Sequence, residues 1–136
     1  MNHLFPSDSW IKAMMEELNN SDVYKVVAKN WEGDFYFIIQ PGGRLTKEAI
    51  LYMDLWHGKC RDACVVSDPN SRDPAFCLSG PIANWKRVMT KQLDPMQAMM
   101  TGVLKLKGNM AMVMKNVRAA KELVECCTRI PTDFLI

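Results

Sequence analysis

Cys60 and Cys64 stand four residues apart, Cys126 and Cys127 are adjacent, and Cys77 is a fifth thiol. Zinc is held by thiolates and imidazoles at C-x2-C or HExxH-type spacings. Neither cysteine pair has such a spacing, and His3 and His57 supply no HxxxH or HExxH. An odd cysteine count without a secretory leader argues against a disulfide framework. These residues read as small apolar side chains in a reducing compartment. An oxidoreductase or metal protein would need Cys60, Cys64 and Cys77 to converge.

Nucleophilic catalysis needs a nucleophile, a base and a group that orients the base. His57 follows Asp54 by three residues, which on a strand puts the two on opposite faces. The glycines of QPGGRL and SGPIANWK read as punctuation, because a phosphate loop needs a Gly-rich turn opening a helix. The acidic residues form no DxDxDG cation loop, and Asp68, Asp73 and Asp94 suit turns and caps. Basic and aromatic residues meet in NWKR (84–87) and near Trp56, short of the several stacking faces that a nucleic-acid groove requires. No catalytic residue, metal ligand or cofactor site is assigned, and nucleic acid is not expected as a partner.

Methionine is the anomaly. Six of the eleven lie in DPMQAMMTGVLKLKGNMAMVMK: Met96, Met99, Met100, Met110, Met112 and Met114. Well-defined packing uses Leu, Ile and Val, whereas flexible methionines suit a wall that yields to guests of varied shape. The cluster predicts an apolar ligand cavity.

The elements that must build such a wall follow from periodicity. The chain of 136 residues is 49% hydrophobic and 24% charged with net charge +2, the profile of one globular domain spanning 1–136. No apolar run approaches the ~20 residues that cross a bilayer. The start, MNHLFPSDSW, lacks the basic and apolar regions of a signal peptide, so a cytoplasmic location is expected. Ser7 and Asp8 cap a helix carrying Trp10, Ile11, Met14 and Leu18, and Asp22 opens a second with Val23, Val26 and Val27. Strands are predicted over 33–40, over 46–57 by the alternation of Leu51, Met53 and Leu55, over 59–68 across a His57-Gly58 turn, and over 75–80. Pro81 and Asp94-Pro95 open two helices, and the second ends at Gly102. VLKLKG (103–108) reads as an edge strand with its lysines outward. Asn109 caps one last helix with Met110, Val113, Met114, Val117, Ala120, Val124 and Cys127 on a face, stopped by Pro131. The fold class is α+β: a five-stranded, largely antiparallel sheet with helices over one face and a long C-terminal helix.

LSGPIANWKRVM, then LDPMQAMMTGVLKLKGNMAMVMK and the terminal amphipathic helix, resembles the sterol carrier protein family, in particular its small single-domain prokaryotic members. The likeness is strongest over 78–130. It implies an apolar tunnel between sheet and helices and non-catalytic binding and transfer of fatty acid, fatty acyl-CoA or sterol-like lipids, with at most transient membrane contact. Carried over by position, the tunnel-facing candidates are Trp85, Met96, Met99, Met100, Leu104, Leu106, Met110, Val113, Met114 and Val117. The terminal PTDFLI carries no SKL-like address, unlike the eukaryotic peroxisomal carriers. The other reading is an accessory or homodimerisation module of the same fold that partners a lipid-metabolising enzyme, with a filled core and with Trp56 and Phe134 at the interface.

Overall fold

A computed structural model describes residues 2–136. In chain order its elements are β1 His3–Phe5, α1 Asp8–Asn19, α2 Asp22–Val27, β2 Glu32–Gln40, β3 Ala49–Trp56, β4 Lys59–Val66 and β5 Phe76–Pro81. There follow α3 Ile82–Met89, α4 Pro95–Thr101, β6 Lys105–Lys107, α5 Met110–Met114, α6 Val117–Thr128 and β7 Thr132–Phe134. Polar caps fix the helix starts. Ser7 Oγ accepts the Trp10 N–H at 3.1 Å, Ser21 Oγ the Tyr24 N–H at 3.0 Å and Asp94 Oδ2 the Gln97 N–H at 3.1 Å. Gly102 ends α4 at φ 77, a left-handed conformation that glycine adopts without strain.

Five strands form one sheet in the order β4-β3-β2-β5-β6. All neighbours are antiparallel except β2 and β5, which run parallel, with α3 to α4 leading out of β5 to the antiparallel edge strand β6. His57 and Gly58 join β3 to β4, both at positive φ as a two-residue I′ hairpin demands. A Cβ at Gly58 would lie 2.8 Å from the Lys25 carbonyl oxygen, so this turn seats directly on α2. A second, two-stranded parallel sheet pairs β1 with β7 and straps the C-terminal residues across the start of α1.

The sheet has two unlike faces. Register sets Phe35, Leu51, Met53, Phe76 and Leu78 toward the helices, in the main core. Their neighbours Tyr36, Ile50, Tyr52 and Val66 form a separate cluster behind, backed by Ile38, Cys64 and Cys77. Among the described residues no helix contributes to that cluster. The 67–75 loop covers it instead: Tyr36 Oη donates to the carbonyls of Pro69 and Arg72 at 3.2 Å each, and the Arg72 guanidinium sits 4.4 Å from the Tyr52 ring centroid. Asp34 accepts the Tyr52 hydroxyl at 2.9 Å and the Ala75 N–H at 2.8 Å, pinning the loop's end.

Two elements differ from the sequence expectation. On α2 the buried residue is Tyr24, while Val23 and Val26 are 56% and 67% exposed, because the cap is Ser21 and the helix is turned accordingly. The expected single last helix is two. It breaks at Lys115–Asn116, where Asn116 takes a non-helical φ of −121 and ψ of 39, and its side-chain amide donates to the Met112 carbonyl at 2.7 Å.

Candidate functional site

Between the front of the sheet and the helices lies an apolar cavity of about 120 Å³. By this measure one water needs roughly 10–15 Å³, so the space is far larger than a packing defect. Alternation in β2 and β3 lays its floor, Phe35 and Phe37 beside Leu51 and Met53, with Leu78 from β5. Phe35 and Phe37 stack with centroids 5.1 Å apart, and Phe76 continues the stack at 5.0 Å from Phe35. Helical spacing builds the roof: Trp10, Ile11 and Met14 from α1, Trp85, Val88 and Met89 from α3, and Ala120, Leu123, Val124 and Cys127 from α6. A smaller cavity of about 40 Å³ shares Phe35, Val113, Ala120 and Leu123 with the first, and extends inward to Tyr24, Trp31 and Asn116.

The polar edges of the aromatic lining are turned away from the space. Trp85 Nε1 donates to the carbonyls of Ile38 and Gly80 at 3.1 Å each, Trp10 Nε1 to Thr132 Oγ1 at 3.0 Å and Trp31 Nε1 to the Gly33 carbonyl at 3.0 Å. Each ring therefore offers the cavity only its carbon face. Cys127 opens toward the cavity and lies 3.9 Å from Met14 Sδ. Burial pushes its thiol up to about 12, so it remains a neutral, apolar wall residue at neutral pH. What the lining offers a guest is apolar surface.

The cavity has an open and a closed side. Its partly exposed lining residues are Phe37 on β2, Pro95 and Met99 on α4, and Ala120, Leu123, Val124 and Cys127 on α6, and the group on α4 and α6 marks the mouth. On the other flank α6 is tied down. Glu122, 9% exposed, accepts from Ser21 Oγ at 2.9 Å and from Arg129 at 3.1 Å, and Arg129 also reaches Glu17 at 3.2 Å. The Glu122 bond raises the Arg129 pKa, so the guanidinium stays charged.

Of the residues singled out from the sequence, Trp85, Met99, Leu104 and Val113 lie on the cavity wall. Met96 is buried beside it, and Leu106 and Val117 pack on the core without reaching the space. Met110 is half-buried, while Met100 and Met114 are 67% and 43% exposed. The floor residues Phe35, Phe37, Leu51 and Met53 were not among those candidates. Their signal is the period-two alternation, which names a face without saying what covers it. The cysteines do not converge: Cys60 is in the main core, while Cys64 and Cys77 are on the other face, on strands separated by β2 and β3. Among the described residues no group of three or more His, Cys, Asp or Glu is placed to hold a metal ion. His57 sits in its exposed turn, with Nε2 2.5 Å from Glu32 Oε2.

The chain is similar to known proteins in sequence and in fold. The SCP-2 sterol transfer family matches residues 1–121. The chain belongs to that family. A crystal structure of sterol carrier protein 2 is 32% identical, with a TM-score of 0.82, over 91% of this chain and 97% of the other. A conserved hypothetical protein of Thermus thermophilus, with a suggested sterol-carrier identity, is 31% identical with a TM-score of 0.82, over 92% and 88%. Sterol carrier protein 2 from Yarrowia lipolytica in its apo form, at 19% identity and a TM-score of 0.59 over 88% and 89%, shares the fold. No curated protein matches the chain. SCP-2 proteins bind or transfer hydrophobic lipid ligands. Among the described residues no helix is long and apolar enough to cross a membrane.

Proposed function

We propose that residues 1–136 act as one carrier domain of the small prokaryotic SCP-2 type, binding a fatty acid, fatty acyl-CoA or sterol-like lipid without catalysis and passing it on. The proposed location is the cytoplasm. The observation that supports the reading is the apolar cavity between sheet and helices, lined among the described residues by no charged side chain and with partly exposed wall residues on α4 and α6. An accessory module would use the same fold with a filled core, and a cavity of about 120 Å³ with an apolar lining argues for the carrier. A cavity near ~150 Å³ admits a benzene-sized guest, so the space receives the first part of an acyl chain. The rest needs Met14, Met53, Met89 and Met99 to swing, which their unbranched side chains allow. Burial of the chain drives binding at ~0.8 kcal/mol per methylene. Contact is assigned to Trp85, Met99, Leu104 and Val113 together with Phe35, Phe37 and Leu51 of the floor.

Native mass spectrometry of the purified protein, with titration of a fluorescent fatty acid, tests this reading. A retained long-chain lipid or saturable one-to-one uptake is expected. A protein that is empty by mass and does not bind the probe would sink it.

A further inference from the structure

The chain has three tyrosines. Tyr36 and Tyr52 commit their hydroxyls to the loop carbonyls and to Asp34 behind the sheet. Tyr24 is the most buried of the three, at 1% exposure. Its backbone N–H is bonded to Ser21, yet its hydroxyl has no partner among the described residues. No fully enclosed side-chain nitrogen or oxygen among those residues lacks a partner. The Tyr24 hydroxyl therefore borders open space, and the space that Tyr24 lines is the smaller cavity of about 40 Å³.

A buried hydroxyl without a partner is costly, and in a native protein it calls for a reason. Tyr24 is also the exception among the aromatic residues of the two linings, since the indoles of Trp10, Trp31 and Trp85 all direct their N–H groups back into the protein. Asn116, at the α5–α6 break, lines the same small cavity. Its side-chain amide donates to the Met112 carbonyl, which leaves its side-chain oxygen as an acceptor without a described donor. A guest hydroxyl can use both groups, accepting from Tyr24 and donating to Asn116. An ionised head does not suit this corner. No charged side chain lines it among the described residues. The buried carboxylate of Glu122 is bonded to Ser21, the cap of the helix that carries Tyr24, and Arg129 is engaged by Glu122 and Glu17. Burial, with Cys60 and Cys126 adding to it, raises the Tyr24 pKa, so the phenol stays a neutral donor. A carboxylate placed here would be buried unpaired, at high cost.

We propose that Tyr24 and Asn116 form a head-group subsite for a neutral lipid alcohol, which enters hydroxyl first and leaves its tail in the larger cavity toward α4 and α6. The two cavities share Phe35, Val113, Ala120 and Leu123, so one guest can span both. A fatty acid sits the other way round, with its carboxylate at the mouth in water. The subsite rests on the carrier reading above and narrows it to a class of ligand.

Displacement of a fluorescent fatty acid by decanol, decane and decanoate near neutral pH tests this, in the unaltered protein and in Tyr24→Phe. Cholesterol serves as a rigid-ring alcohol beside the flexible one. The ratio of decanol to decane affinity should fall about tenfold in Tyr24→Phe, the loss of one hydrogen bond to a buried group, while decane and decanoate bind as before. Whichever of decanol and cholesterol shows the loss is the kind of alcohol that the subsite seats. The melting temperature of the ligand-free protein should stay level or rise in Tyr24→Phe, because the hydroxyl has no protein partner to lose. A clear fall would show that the protein itself uses the hydroxyl, and would overturn the proposal. The control Tyr52→Phe removes the hydroxyl bonded to Asp34, and should lower the melting temperature while leaving the ratio alone. An unchanged ratio in Tyr24→Phe, an equal fall in Tyr52→Phe, or a loss for decanoate as large as that for decanol also overturns the subsite. A protein that binds the fluorescent fatty acid with its ratio unchanged by Tyr24→Phe loses only this subsite, whereas one that binds no ligand at all loses the carrier reading with it.

Discussion

The two faces of one sheet, built from alternate residues of the same strands, solve the same problem in opposite ways. Behind, Tyr36 and Tyr52 end in hydroxyls, and the loop closes on them through the Pro69 and Arg72 carbonyls and through Asp34. In front, Phe35 and Phe37 occupy the neighbouring positions with nothing polar to anchor a cover, and the helices above leave space. Hydrophobicity alone does not separate a core from a binding site. The difference lies in whether the sheet's own apolar side chains carry polar ends that tie their covering down.

Truncation should expose this difference first as stability. Tyr52→Ala removes a buried ring and the partner of Asp34, and should cost about 3–5 kcal/mol in denaturant unfolding, as large aromatic truncations do, while fatty-acid affinity stays as it was. A large loss of affinity would mean that the faces are coupled. Ala120→Phe should do the reverse. Ala120 lines both cavities, so a phenyl ring there fills the space and excludes about four methylenes. At ~0.8 kcal/mol each that is on the order of a hundredfold in affinity, with stability changed by less than about 2 kcal/mol.

Alkaline titration reads the front side by another route. Burial pushes the Cys60 and Cys127 thiols from 9.0 up to about 12. A folded-state pKa raised above the unfolded one gives stability that is whole below pH 9 and fades as pH rises toward 12. Between pH 9 and 10 the loss should be about 1 kcal/mol for each thiol, seen as a falling melting temperature. A flat profile there would show that water reaches them. The smallest effect belongs to Met99→Ile. Affinity for a straight chain should move by less than about fivefold, a volume-conserving change, while branched or ring-shaped ligands lose more because the wall no longer adapts. An unchanged ligand ranking would deny methionine its role in the wall.

Much of this was legible in the residues. Polar caps at Ser7, Asp94 and Asn109, the His57-Gly58 turn and the lysine-faced edge strand are local signals, and each one acts within three or four residues in the fold. The α5–α6 break was not legible. It depends on one Asn116 amide capturing the Met112 carbonyl, in a stretch with neither glycine nor proline. Within α5 itself Val113 is on the wall while Met114 faces solvent. The β1–β7 strap was equally hidden, because three-residue strands paired across the whole chain leave no periodicity to read. The floor was visible as alternation, but which face the helices choose is decided by tertiary packing.

Three of the four tryptophans, Trp10, Trp31 and Trp85, line the two cavities, and only Trp56 is partly open to water, at 38%. Because the three buried indoles have their N–H groups tied to the protein, a guest that enters changes what touches their ring faces and little else. The cavity is therefore optically self-reporting: its occupancy is written in the emission colour and intensity of the unlabelled protein. Replacing Trp56 with Phe would remove the constant solvent-coloured background, leaving a signal that follows filling and emptying alone.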